Sequence, residues 1–167
     1  MKTKINIIYL LLAFSLLALG GCKEKEDDLD LDATVYYSGW ITPSAWLGTS
    51  ADWYFNVDAP GLTEDIVERG VILAYASLDG DIYDAAVRPL PVYAVGANWS
   101  FLIPDYAIIE FTSDMISKPL TTGNHFRFIA IPGNTETLKS ASSKHISEKE
   151  LRSMPYEEVC KLFNIPE

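Results

Sequence analysis

The sequence predicts a mainly β protein: an antiparallel β-sandwich, Ig-like or jelly-roll-like, of about seven to eight strands with one short internal helix and a C-terminal helix. Three observations lead there. Short runs rich in β-branched and aromatic residues recur from Ala33 to Pro132, the composition that suits a pleated, half-buried surface. Turn signals separate them at Asp79-Gly80, Pro104-Asp105 and Pro132-Gly133-Asn134. The runs also alternate, as in His125–Ile131 (HFRFIAI), where Phe126 and Phe128 share one face and Arg127 takes the other.

Taken in order, Ala33–Trp40 (ATVYYSGW) and Asp52–Val57 (DWYFNV) read as the first two strands. Thr63–Arg69 reads as a helix. Thr63 can cap it, Glu64 and Asp65 suit its positive start, Gly70 can close it, and Leu62 and Val67 are spaced for a hydrophobic staple. Val71–Leu78 (VILAYASL) is a buried-type run, and Asp79-Gly80 predicts a hairpin into a return strand over Asp81–Val87. Pro89 and Pro91 cannot donate to a ladder, so RPLPVY is expected at a sheet edge or bend. Trp99–Ile103 and Tyr106–Thr112 follow, joined through Pro104-Asp105, with Ala107, Ile109 and Phe111 on one face. Thr135–Lys144 (TETLKSASSK) is a polar linker. Ser147 and Glu150 then form a capping box that opens a helix over Ser147–Phe163, restarted at Pro155, with Tyr156, Val159, Cys160 and Phe163 on one side. No internal repeat is visible.

The N-terminus carries an address. Met1-Lys2-Thr3-Lys4 is positive, Ile5–Leu19 is an apolar run, and Leu19-Gly20-Gly21-Cys22 follows. Charge, apolar stretch and small residues make a secretory signal, and the run is short of the ~20 residues that span a bilayer. Leu-Gly-Gly-Cys resembles a bacterial lipobox, in which the small residues admit the chain to the lipoprotein signal peptidase and the cysteine thiol carries the lipid. The alternative is an ordinary signal peptide with an incidental cysteine. Residues 1–21 are thus expected to be a lipoprotein signal peptide and residues 22–32 a lipidated acidic tether. Residues 33–134 are expected to form the sandwich and 135–167 the linker and C-terminal helix packing on it. One acyl chain anchors only marginally, but two or three on Cys22 hold firmly, palmitate included. The tether Lys23–Asp32 (KEKEDDLDLD) is six-tenths acidic, too polar to offset ordering entropy, and spans up to roughly 30–35 Å. Lys23, in a place where Asp favours inner-membrane retention in enteric bacteria, points to the outer membrane. The acidic cluster resembles the export tag of surface lipoproteins, so cell-surface exposure is expected.

Removing residues 1–21 takes away Lys2 and Lys4 and no acid, moving the net charge from −10 to −12. That argues against nucleic acid, whose phosphates require clustered Lys and Arg, and suits a protein kept soluble outside the cell. With Cys22 lipidated, Cys160 has no partner and reads as a small buried residue.

The stretch LTEDIVERGVILAYASLDGDIYDAAVRPLPVY, with FRFIAIPGN and YEEVCKLFNIP further on, resembles a group of small uncharacterised lipoproteins and secreted β-sandwich domains of Gram-negative anaerobes of the Bacteroidetes type. There a short I-T-x-x-I-x-x-x-G helix leads into a V-L-V-Y strand, a hairpin, an L-P-Y strand and a late R-x-x-x-I-P-G strand. The resemblance covers about Leu62 to Glu167. Leu62 stands for the usual Ile and Val92 splits the L-P-Y. It implies an antiparallel β-sandwich lipoprotein and no particular activity.

Catalytic constellations are thin. His125 and His145 are the two histidines, and no His/Cys cluster gives the three or four ligands that zinc needs; His125 reads as an ordinary exposed imidazole. No G-x-S-x-G elbow occurs. Asp79/Asp81 and Glu157/Glu158 are explained by a turn and a helix face. No enzyme, metal site or cofactor is therefore expected. Aromatic residues are the stronger signal: Tyr36, Tyr37, Trp40, Trp46, Trp53 and Tyr54 crowd into nineteen positions. These rings either fill the core or stand exposed as platforms for sugar rings. Trp46, in the Thr42–Ser50 loop, and Trp99, after Gly96, are the candidates for exposure. The expected role is a non-enzymatic binding or structural module at the outer membrane, held to it through Cys22. Glycan or an envelope protein is the candidate partner. The alternatives are a glycan-binding accessory module, needing Trp46 or Trp99 exposed, and a hydrolase, needing carboxylates converging in a cleft.

Overall fold

The computed structural model describes residues 35–83, 86–133 and 146–167. The expected signal peptide, Cys22, the expected tether, the start of the first strand at Ala33–Thr34, the Thr135–Lys144 stretch and His145 lie outside the described residues. Two antiparallel sheets pack as a β-sandwich. The chain runs β1 (Tyr36–Tyr37), β2 (Leu47–Thr49), β3 (Asp52–Asp58), α1 (Glu64–Arg69), β4 (Val71–Ser77), β5 (Val87–Pro89), β6 (Val92–Ala94), β7 (Ala97–Asp105), β8 (Ile108–Ser113) and β9 (His125–Ile131), then α2 (Glu148–Ser153) and α3 (Tyr156–Leu162). One sheet has the order β1-β9-β4-β5 and the other β2-β3-β8-β7-β6.

Alternation along the strands divides the residues between two cores. Ile72, Ala74 and Ala76 of β4 and Phe126, Phe128 and Ala130 of β9 face the second sheet, where Phe55, Trp99, Ile109 and Phe111 meet them. The intervening residues, Val71, Leu73 and Tyr75 with Ile129 and Ile131, face outward and would be wet on a two-layer sandwich. They are covered by Leu151, Tyr156, Val159 and Cys160 of the C-terminal helices. The four-stranded sheet is therefore buried on both faces over most of its length. This is why β4 and β9 read as nearly unbroken apolar runs.

Helix boundaries follow their caps. Thr63 caps α1 and Ser147 caps α2 with both halves of its box present. Pro155 splits the expected C-terminal helix into two. Hairpin positions differ from expectation. Asp79-Gly80 does not close a two-residue hairpin. A longer connection leaves β4 there, and β5 pairs only over Val87–Pro89, with Ser77 opposite Val87. A two-residue hairpin instead joins β6 to β7 at Val95-Gly96, both at positive φ, with Ala94 opposite Ala97. The β7–β8 turn lies at Tyr106-Ala107, because β7 continues through Pro104 by a register shift between Leu102 and Asp105. Pro89 and Pro91 do lie at edges: β5 borders one sheet, and the chain crosses to β6 at the border of the other.

The strand directions define two ends. At one, α1, Ala59, Leu62 and Ala107 close the sandwich, and Val35 stands one residue before Tyr36, which pairs with Ala130 near the end of β9. At the other, the loops after β4 and β8 are tied together by Asn124, which is buried. Its Oδ1 accepts from Asp79 N at 3.0 Å and its Nδ2 donates to Leu120 O at 2.8 Å.

Candidate functional site

The two tryptophans that were candidates for exposure are the most buried of the four. Trp46 and Trp99 are each 1% exposed. The loop carrying Trp46 folds back so that the indole drops between the sheets, edge-on to Phe55, Trp99 and Phe126 at 5.0, 5.9 and 5.9 Å. Trp46 Nε1 donates to Leu120 O at 3.2 Å and Trp99 Nε1 to Ala94 O at 2.9 Å. With the N–H satisfied, burying the large ring carries no polar penalty, and the core is where it lowers the free energy most. Neither ring can serve as a sugar platform, so this expectation is corrected.

A different tryptophan lines a groove. At the loop end of the four-stranded sheet, Val87, Ser77 and His125 stand opposite one another on β5, β4 and β9. Alternation puts them on the outer face, one step beyond the rows that the C-terminal helices cover. Trp40 forms the fourth wall of an open groove of about 370 Å³. All four lining residues are half-buried.

Trp40 reaches this face through a bulge. Tyr36 and Tyr37 pair with Ala130 and Ile129, whereas Ile41 pairs with Phe126. From Tyr37 to Ile41 the chain thus advances four residues against three on β9. One extra residue re-aims the side chains that follow. Strict alternation would put Trp40 on the same face as Tyr36, which packs into the inter-sheet core. The bulge sends Trp40 out and Ile41 in.

The groove's members are braced from behind. The Trp40 ring lies 5.7 Å from Tyr156, and the Arg127 guanidinium is 6.0 Å from it. Arg127 is buried and committed: Nε donates to Ser38 O at 2.9 Å, and Nη1 donates to Pro166 O at 2.6 Å and to the Tyr156 hydroxyl. Its charge also faces the rings of Tyr37, Trp40 and Tyr156. Thr42 Oγ1 and His125 Nδ1 are 2.9 Å apart, which fixes the imidazole and directs Nε2 elsewhere. Trp46, Trp53 and Trp99 each donate their indole N–H to a main-chain carbonyl; among the described residues Trp40 has no such acceptor.

Two other cavities among the described residues carry less chemistry. One beside α2, of about 220 Å³, is lined by Leu73, Tyr75, Pro89 and Leu151 among others. Another, near the C-terminus, holds Glu157, Glu158, Glu167 and Cys160. Burial pushes the Cys160 thiol up from its ordinary value, the reverse of what a nucleophilic cysteine needs. Asp81 is engaged by Arg88 at 2.7 and 2.8 Å, which holds its carboxyl down at about 2. Among the described residues no three His, Cys, Asp or Glu side chains converge as a metal site would require, and no helix is long and apolar enough to cross a membrane.

No family model, no curated protein and no solved structure matches this chain.

Sequence reasoning placed Trp40 in the aromatic cluster and His125 at a strand start, but did not join them. The available signal was Ser38-Gly39, a break in the β-favouring run just before Trp40, where a bulge is easily accommodated.

Proposed function

We propose that this chain is a lipoprotein of the bacterial outer membrane, anchored through lipid on Cys22, whose sandwich is a non-enzymatic binding module facing the cell exterior. The observation that carries the reading is Leu19-Gly20-Gly21-Cys22 at the end of the apolar run. The resemblance to small lipoproteins of Gram-negative anaerobes agrees with it. The geometry gives further support. The described chain enters the sandwich at the α1 end, and the groove opens at the other end. A tether joining at Val35 would therefore attach at the end opposite the groove and leave the groove's mouth unobstructed. Ile82, Tyr83, Ile116 and Leu120 are exposed on the loops of that same end, as suits a contact surface.

Labelling cells with [³H]palmitate tests the anchor. The expected result is label on the wild-type chain and none on Cys22→Ala, together with release of the variant from the membrane fraction. Equal labelling of both would overturn the anchor. Protease accessibility in intact cells tests the face: digestion of the sandwich without permeabilisation is expected, and protection would place it inside.

A further inference from the structure

We infer that the groove between Trp40 and His125 is a subsite for one neutral pyranose ring, packed against the Trp40 indole and hydrogen-bonded along its edge by His125 Nε2 and Ser77 Oγ. The inference deepens the reading of the sandwich as a binding module and rests on it.

The size fits a single ring: about 370 Å³ is at the low end of small-molecule sites, which run from about 300 to 1,000 Å³. The lining is mixed in a particular way. Trp40 and Val87 offer apolar surface, while Ser77 and His125 stand side by side on adjacent strands and offer polar atoms. A pyranose matches both, because its C–H faces are apolar and its rim carries hydroxyls. A purely apolar ligand would bury the serine hydroxyl and the imidazole without partners, which is costly. A small ion would leave the indole without a contact. An anionic ligand would need a free cationic side chain. Arg127, whose guanidinium lies 6.0 Å from the Trp40 ring, is 3% exposed with its Nε and Nη1 donating to protein oxygens.

The site is also held ready. Tyr156 backs the indole and Thr42 fixes the imidazole, so little ordering remains to be done on binding.

The test uses the full lipidated chain in a detergent without a sugar headgroup. The probes are methyl glucoside, methyl galactoside, methyl mannoside and N-acetylglucosamine, read by saturation-transfer NMR and titrated by tryptophan fluorescence. At least one is expected to bind with millimolar affinity and to be weakened about tenfold or more by Trp40→Ala and by His125→Ala. Because Trp40 also packs on Tyr156, Ser77→Ala supplies a change that leaves the helices undisturbed and is expected to weaken binding as well. Tyr93→Ala, an exposed ring on the other sheet, is expected to leave binding unchanged. No saturation transfer from any probe, or equal binding by wild type and all three groove variants, would overturn the subsite. Either result leaves the palmitate experiment untouched, so the two readings fail separately.

Discussion

The four-stranded sheet carries two hydrophobic layers that differ in kind. Between the sheets, Phe126 lies at the centre of a cluster of rings, with Trp46, Phe55, Trp99 and Phe111 within 6.0 Å. Its buried members are all apolar or aromatic and none is ionisable. Between the sheet and the C-terminal helices, the buried set includes Tyr75, Tyr156 and Cys160, with the Arg127 guanidinium among them. Burial raises the phenol of Tyr156 to about 12 and pushes that of Tyr75 up further. The inner layer combines apolar burial with indole N–H bonds to main-chain carbonyls and contains no buried ionisable member. The outer layer couples the same burial to protonation, and it is the layer against which Trp40 is braced.

Truncating the inner layer separates the two most sharply. Phe126→Ala removes a fully buried ring from the centre of the cluster and is expected to cost about 3–5 kcal/mol. Urea unfolding followed by near-UV circular dichroism is the measurement. A loss below about 1 kcal/mol would mean that the sheets do not depend on this cluster.

Alkali is expected to act on the outer layer alone. A phenol whose pKa is raised in the folded state contributes stability that is complete below pH 10, its unfolded value, and lost as pH rises toward the folded value. For Tyr156 the window is pH 10 to about 12, and the shift corresponds to roughly 2–3 kcal/mol at most. Hydrogen exchange across this range should show α2 and α3 opening before β3, β7 and β8, and Tyr156→Phe should reduce the effect. Simultaneous loss of both layers would erase the distinction.

The smallest effect is also the most local. Ser147→Ala removes the capping box of α2 and is expected to cost about 1 kcal/mol. The loss should be read in hydrogen exchange of Glu148–Ser153, with the inter-sheet strands unchanged.

Much of the fold was legible because its signals are local. Thr63 and Ser147 mark helix starts, Pro155 breaks the last helix, and the apolar run of β4 and the alternation in β8 and β9 announce strands. The hairpins were less legible. Asp79-Gly80 has the residues of a two-residue turn, yet the partner strand begins only at Val87, where Arg88 can pair with Asp81. Val95-Gly96 closes such a turn with a β-branched residue at positive φ, a conformation imposed by the pairing of its flanking strands. The candidate site was least legible. Trp46 sits between Pro43 and Gly48 in a stretch that looks like an exposed loop, and it is buried because Leu120, seventy-four residues away, supplies an acceptor for its N–H.

By itself the sequence determined the sandwich class, the positions of the caps and the presence of many rings in few positions, since propensity, capping and alternation act over a handful of neighbouring residues. Which ring faces solvent was decided only by tertiary structure. One extra residue between Tyr37 and Ile41, measured against β9, turns Trp40 outward beside His125. That residue is extra only relative to a partner strand almost ninety positions further along the chain, and a register between distant strands is fixed by packing, not by either strand alone.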